Sequence, residues 1–223
     1  MCLSPEFDLA SSVVIGAFAI DTIRRNENPR TIPLALVPSI FAIHTVSSAI
    51  VWLGIEHHLS QQFQNVATSV YIFIAFVLWP TYVPFALLPI EKSGWRKNTM
   101  WAFLVIGFVT SIQFAMAVDS GNETVMAGGH YLDFHVNGTP AYTGIFYFLT
   151  TCVAILLSGI RQLVIYGLMN AVVVATLAIS QNHGLPSLWC LWAAVTSFCI
   201  WWFIRTVQSN HLLDKPWPWL ADV

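Results

Sequence analysis

Charge is what this chain has least of. Of its 223 residues only 9% are Asp, Glu, Lys or Arg, while 57% are hydrophobic. A soluble domain carries about 25% charged residues, so this chain has too few to solvate an aqueous surface. Net charge is −2 and no run of Lys or Arg occurs, which leaves no electrostatic footprint for nucleic acid. Residues 1–8, MCLSPEFD, hold two acids and no base, the opposite of a signal-peptide n-region, so a cleaved signal is not expected. No CxxC, HxxxH or HExxH occurs anywhere.

What the chain does have is long apolar runs. A spanning helix needs about 20 apolar residues. Seven candidates stand at about 8–24, 32–54, 66–90, 99–118, 139–158, 162–180 and 186–208. The first is the weakest, because Asp8 and Arg24 are only about 22 Å apart at 1.5 Å rise per residue. The nine basic residues are Arg24, Arg25, Arg30, Lys92, Arg96, Lys97, Arg161, Arg205 and Lys215. All of them follow odd-numbered helices, as the positive-inside rule requires of an N-terminus outside and a C-terminus in the cytoplasm. The expectation is an all-α protein. It is a single seven-helix transmembrane domain over 1–223, with one long extracytoplasmic loop at about 119–140.

That loop, DSGNETVMAGGHYLDFHVNGTP, contains no Lys or Arg. Leu132, Phe134 and Val136 alternate with Asp133, His135 and Asn137, a period of two that predicts an extended segment with one wet face. Asp133 and His135 would project the same way, about 7 Å apart. Gly128-Gly129 and Asn137-Gly138 mark turns, and Pro140 opens the next helix. The loop reads as a lid over the outer mouth.

Ionisable groups at membrane depth are costly and are candidates for function. His44 lies near the middle of the second helix; Asn170 and Gln113 are further polar groups inside spans. Asp21, near the inner end of the first helix, can pair with Arg24 or Arg25. The third helix carries Trp79-Pro80, Pro84 and Pro89, each of which removes a backbone bond and bends the helix. Its aromatic, kinked inner half suits a ligand pocket or simple bundle curvature. Trp201, Trp202, Trp217 and Trp219 fit an inner interfacial belt.

Of four cysteines, Cys152 and Cys199 fall inside spans, whereas Cys2 and Cys190 fall at the outer face. A pair at an oxidising face forms a disulfide or, with imidazoles near, a metal site for zinc or copper. Cys2, His130 and Cys190 are the candidate ligands, with His135 or Asp133 as the fourth.

These residues also carry a resemblance. Met1-Cys2-Leu3-Ser4, PSIFAIHTVSSAIVWL (38–53), WPTYVP (79–84) with Glu91, GGHYL (128–132), SGIRQLVIYG (158–167) and SLWCLWAAVTS (187–197) together resemble an uncharacterised bacterial multi-pass membrane family. Its members begin Met-Cys-(Phe/Trp)-Ser. The resemblance implies a shared seven-helix fold, a bacterial cytoplasmic membrane and no known activity. Cys2, Ser4, Trp79, Pro80, Glu91, His130 and Cys190 match its pattern. His44 and Ser48 depart from it, standing where the family pattern has a glutamine and an acid.

Three functions stay open. One is an extracytoplasmic Cys/His membrane protein binding zinc or copper. Another is a membrane-embedded enzyme on a lipid or isoprenoid substrate, with Glu6, Asp8 or His44 as acid or base. The third is an accessory subunit of a larger membrane complex, or a homo-oligomer, packed through an apolar face. A retinal protein is excluded by the lack of Lys in the last helix, and a ceramidase-like zinc hydrolase by the lack of HxxxH there. An ion pump wants paired intramembrane charges, and only His44 lies near the midplane.

Overall fold

The apolar runs fold as helices whose ends are set by local chemistry. A computed structural model describes residues 4–56, 58–121, 123–127, 132–180 and 185–210. Among them are seven helices: α1 (Pro5–Arg25), α2 (Pro29–Ile55), α3 (Gln61–Leu87), α4 (Trp95–Asp119), α5 (Tyr142–Leu156), α6 (Arg161–Ser180) and α7 (Leu185–Asn210). A hairpin of β1 (Glu123–Ala127) and β2 (Leu132–Val136) follows α4. In α1, the Ser4 side chain accepts from the Phe7 N–H at 3.3 Å and Pro5 occupies the first turn. Glu6 and Asp8 lie in that turn, and Arg24 and Arg25 in the last, an order that complements the helix dipole. The cap starts α1 at Pro5 rather than near residue 8, so its 21 residues extend about 31 Å.

Three helices, α2, α3 and α4, are long and apolar enough to cross a membrane, each with a mean hydropathy of 1.9 in its best window. Tyr142–Leu156 and Arg161–Thr176 are shorter apolar helices. Hydrophobic side chains face outward, among them Val13, Phe63, Val105, Met116, Leu168 and Trp202. Hydroxyl and amide groups face inward: Thr45, Ser48, Thr110, Thr150, Asn170 and Ser197 are buried. Inward hydroxyls mostly return their protons to the helix itself, as Thr45 does to the Phe41 carbonyl at 2.8 Å and Ser197 to the Ala193 carbonyl at 2.7 Å.

The prolines of α3 shape the centre. Residues Phe73–Leu78 adopt a π-helical turn. Counting five on from Ala75, as that register does, lands on Pro80, which has no N–H. The Ala75 carbonyl is instead met by the Tyr147 hydroxyl of α5 at 2.6 Å. Four residues after Pro80 comes Pro84, which likewise cannot donate to the Pro80 carbonyl. That carbonyl points at Gly107 of α4, where an added Cβ would stand 1.9 Å from the oxygen. Only a glycine, offering its Cα–H, allows this approach. One turn on, the hydroxyls of Thr81 and Ser111 hydrogen-bond at 2.8 Å.

The hairpin is antiparallel, pairing Thr124 with His135 and Val125 with Phe134. Leu132 and Phe134 are 0% and 3% exposed and pack with Val51 and Trp52 near the end of α2 and with Tyr71 and Ile72 further into α3. The alternation read from the sequence is thus a strand with one buried face. The partner strand β1 carries no such alternation and was not foreseen.

Gly107→Ala should lower thermal stability in detergent by the equivalent of about 1–3 kcal/mol, because the backbone of α3 must retreat. Gly16→Ala in α1, where nothing lies within 4 Å of the added methyl, should be neutral or stabilising. Equal melting temperatures for the two variants would contradict the close approach.

Candidate functional site

Six of the seven helices converge on a cavity of about 280 Å³. Five of them contribute residues at helical spacing, and α4 contributes Phe114. Val37, Phe41 and His44 come from α2; Trp79 and Val83 from α3; Tyr147, Thr151 and Ile155 from α5; Leu163, Tyr166 and Asn170 from α6; Thr196 and Ile200 from α7. Phe76 and Phe114 complete an aromatic wall. Only Gly144 of α5 is exposed among the lining residues, so there the cavity approaches the apolar exterior.

The polar groups of the wall are held by one another. The Trp192 N–H donates to Asn170 Oδ1 at 2.8 Å, and Asn170 Nδ2 donates to Cys152 Sγ at 3.4 Å. Asn170 thereby joins α5, α6 and α7. Thr196 donates to the Trp192 carbonyl at 2.9 Å, so the 3.0 Å contact between Tyr166 and Thr196 has Tyr166 as donor. Thr151 donates to the Tyr147 carbonyl at 2.7 Å. The His44 ring stacks on Tyr71 (centroids 4.1 Å, 25°), and Tyr71 stacks on Phe134 (3.9 Å, 13°). A column of three rings therefore runs from the hairpin to the cavity wall.

Of the three expected acid–base groups, the structure brings His44 alone to the cavity. Glu6 is exposed in the first turn of α1, and Asp8, 1% exposed, is buried near it; neither lines the cavity. Of the expected metal ligands, Cys2 and His130 lie outside the described residues, and the side chain of Cys190 is also outside them. His135 is half-buried on β2 opposite Thr124. Among the described residues no group of three or more His, Cys, Asp or Glu is placed to hold a metal. Gln113 holds α4 to α5, accepting from Thr143 at 2.9 Å and donating to Tyr142 at 3.1 Å. Tyr147, Tyr166 and Thr196 were missed from sequence. Their signal was a polar or aromatic residue three or four positions from another on one apolar helix, as in Tyr147/Thr151 and Tyr166/Asn170.

Two clamps close the end of the bundle that carries the arginines. Asp21 pairs with Arg25 at 2.9 Å, as expected, and also accepts from Trp201 at 2.6 Å and Arg205 at 3.0 Å on α7. The Arg205 guanidinium lies 4.2 Å from the Trp201 ring centre. Glu91, in the turn after α3 and 3% exposed, accepts from the Ser158 hydroxyl at 2.5 Å and the Gly159 N–H at 3.1 Å, before α6. Burial pushes the Glu91 carboxyl above its ordinary value of 4.5, while Ser158, Gly159 and the charge of Arg96 pull it back.

The sequence profile of a family of unknown function (DUF6629) matches residues 1–214. No curated protein and no solved structure matches the chain. The chain belongs to the DUF6629 family.

The raised Glu91 value has a consequence for stability. The folded protein holds this proton more tightly than the unfolded chain, so the stability gained by burying Glu91 neutral is full below about pH 4.5 and is lost as pH rises through the raised value, where burial of the charge is penalised. Melting temperature should fall over that window in the native protein, and Glu91→Gln should flatten the fall. An unchanged slope in Glu91→Gln would place the pH dependence elsewhere.

Proposed function

We propose that this member of the DUF6629 family is a seven-span integral membrane protein that binds an apolar small molecule, a lipid or an isoprenoid, in its central cavity. The observation that carries the reading is the cavity itself, walled by Phe41, Phe76, Trp79, Phe114, Tyr147 and Tyr166 and reached by the His44 imidazole. Pockets for small molecules are concave and mostly apolar, with a few convergent polar groups, and this one has that composition. His44 gives the site one base; any proton taken from or returned to the ligand would pass through it.

The membrane part of the proposal rests on the three long apolar helices, the outward-facing hydrophobic side chains and the sorting of basic residues. Among the described residues the Lys and Arg gather at one end of the bundle: Arg24 and Arg25 in the last turn of α1, Arg30 at the start of α2, Lys92 between α3 and α4, Arg96 and Lys97 in the first turn of α4, Arg161 at the start of α6 and Arg205 near the end of α7. This supports a hairpin outside and an arginine-bearing end in the cytoplasm; a bacterial inner membrane as the location is what the family resemblance implies. The metal reading is not carried forward, since its ligands Cys2, His130 and Cys190 lie beyond the described side chains.

Orientation is checked with single cysteines in a background without the native four. In intact cells a membrane-impermeant maleimide should label Asn137→Cys and not Ser93→Cys; the reverse pattern would invert the protein. Binding is checked by organic extraction and mass spectrometry of protein purified in mild detergent. About one apolar molecule per chain is expected. Val83→Trp, one turn from Trp79 on the cavity wall, should lose it at least tenfold while remaining folded. A folded native protein that carries no apolar molecule and takes up none added back would overturn the reading.

A further inference from the structure

We infer that Trp79 is the residue that recognises the ligand: its indole N–H donates to an acceptor oxygen, such as the carbonyl of an apolar ketone or aldehyde, and the cavity selects such a molecule over a plain hydrocarbon. This rests on the cavity-binding reading and adds to it the polar contact that fixes the ligand. Trp79 lines the cavity and is 9% exposed. An indole nitrogen can only donate, and a buried one ordinarily finds an acceptor. The half-buried tryptophans of α7 do so: Trp192 donates to Asn170 Oδ1 at 2.8 Å and Trp201 to Asp21 Oδ2 at 2.6 Å. Trp79 has ring contacts with Phe41 and Tyr82 but, among the described residues, no hydrogen bond. Its nitrogen is not sealed into packed protein, and the open space that Trp79 meets is the cavity.

The donor is held in place before any ligand arrives. Trp79 directly follows the π-helical turn Phe73–Leu78. Phe41 of α2 lies against its ring at 4.6 Å and 33°. Tyr82 meets it edge-on at 6.1 Å and 82°, and is itself pinned by a 2.7 Å bond from its hydroxyl to the Pro33 carbonyl. These contacts fix the indole without satisfying its N–H. The Ala75 carbonyl, one turn back on the same wall, receives the Tyr147 hydroxyl and not this nitrogen. A donor fixed in this way loses little freedom when a ligand binds to it.

The hydroxyls and the amide of the wall are in a different position, because each is already hydrogen-bonded within the protein. Thr151 donates to the Tyr147 carbonyl and Thr196 to the Trp192 carbonyl. Tyr166 is held by Thr196 and by the Trp192 N–H, and Asn170 by Trp192 and Cys152. A ligand oxygen at Trp79 therefore makes a bond where none has to be broken. A hydrocarbon in the same place would enclose the N–H with no acceptor, which is the costly case. An ammonium has no lone pair to offer Trp79, and no carboxylate lines the cavity to balance its charge. Sites built to hydrogen-bond a ligand group discriminate against analogues lacking it, because their own polar group loses a partner.

The test uses the full-length protein in lipid nanodiscs. The probes are geranylacetone, an isoprenoid ketone, and the hydrocarbon in which a methylene group replaces its carbonyl oxygen, each competing against tritiated geranylacetone. Binding to Val83→Trp nanodiscs is subtracted to remove partition into lipid. The ketone should bind about tenfold more tightly than the hydrocarbon, the scale set by giving or denying one buried donor its acceptor. Trp79→Phe should close that gap by weakening the ketone and leaving the hydrocarbon unchanged. Since Phe also alters the packing on Phe41, the benzothiophene analogue of tryptophan, placed at position 79 by nonsense suppression, removes the N–H and keeps the ring shape. The infrared carbonyl stretch of the bound, isotope-labelled ketone should lie below its value in lipid and return to that value with either change, which a loss of packing alone does not produce. Equal binding of ketone and hydrocarbon, a bound carbonyl stretch equal to that in lipid, or a ketone preference that survives both changes at position 79 overturns the assignment to Trp79 and leaves the cavity reading standing. Binding of neither probe to native protein above the Val83→Trp background overturns both.

Discussion

The structure depends on how the backbone of α3 is satisfied where its prolines interrupt it. In an apolar surrounding a freed carbonyl has no water to turn to, so protein must supply the partner. Two carbonyls are freed. That of Ala75 is taken by the Tyr147 hydroxyl, and that of Pro80 is approached by the backbone of Gly107. These two contacts set the distances from α3 to α5 and to α4. They also fix Tyr147 as a wall residue of the cavity. The space between the helices is thus a consequence of the repair: α4 is drawn close at Gly107, while α5 is held one tyrosine away. The second π-helical turn, Leu149–Val153 in α5, lies in the same layer and carries Thr151 to the wall. π-turns recur where side chains must be re-aimed at functional sites.

The hairpin belongs to the same construction. Phe134 does not merely cover α2 and α3; it continues a stack through Tyr71 to His44. An imidazole between a ring and a cavity has few orientations open to it. Its plane is therefore set from the hairpin, some way along the chain from α2. A loop of this length inside a compact helical chain is uncommon unless it has work to do. Here the visible work is to close one end of the bundle and to hold one wall group in place.

Much of this was legible in the sequence. Apolar run length gave the helices to within about five residues; the first four each start earlier than their apolar runs, and the early start of α1 at Pro5 follows from a Ser-Pro cap that run length ignores. Period-two alternation found β2 because it has one buried face. It could not find β1, which pairs through backbone groups that sequence patterns do not display. His44 was visible as an ionisable group at the wrong depth. Tyr147, Tyr166 and Thr196 were not, because an aromatic or a threonine is ordinary in an apolar helix. What distinguishes them is convergence across helices, and convergence is a property of packing. Glu91 entered only through resemblance, and its place against Ser158 and Gly159 joins residues far apart in the chain.

The distribution of fastenings bears on how the cavity communicates with its surroundings. At the arginine end, Asp21 ties α1 to α7 through Trp201 and Arg205, and Glu91 ties the turn after α3 to the residues before α6. At the opposite end, Leu132 and Phe134 are buried against α2 and α3. Both ends are joined by polar or aromatic contacts that a passing molecule would have to break. The side between α4 and α5 differs. Gln113 bridges it at Thr143 and Tyr142, but the next residue is Gly144, exposed and without a side chain, at the edge of the cavity. The outer surfaces beside it, Phe108, Ile112 and Ile145, are apolar and exposed. On the proposed reading this is where a membrane-dissolved ligand meets least obstruction. It would cross no polar layer and break neither clamp, so the same contacts that hold the bundle shut at its ends leave the bilayer as its natural source.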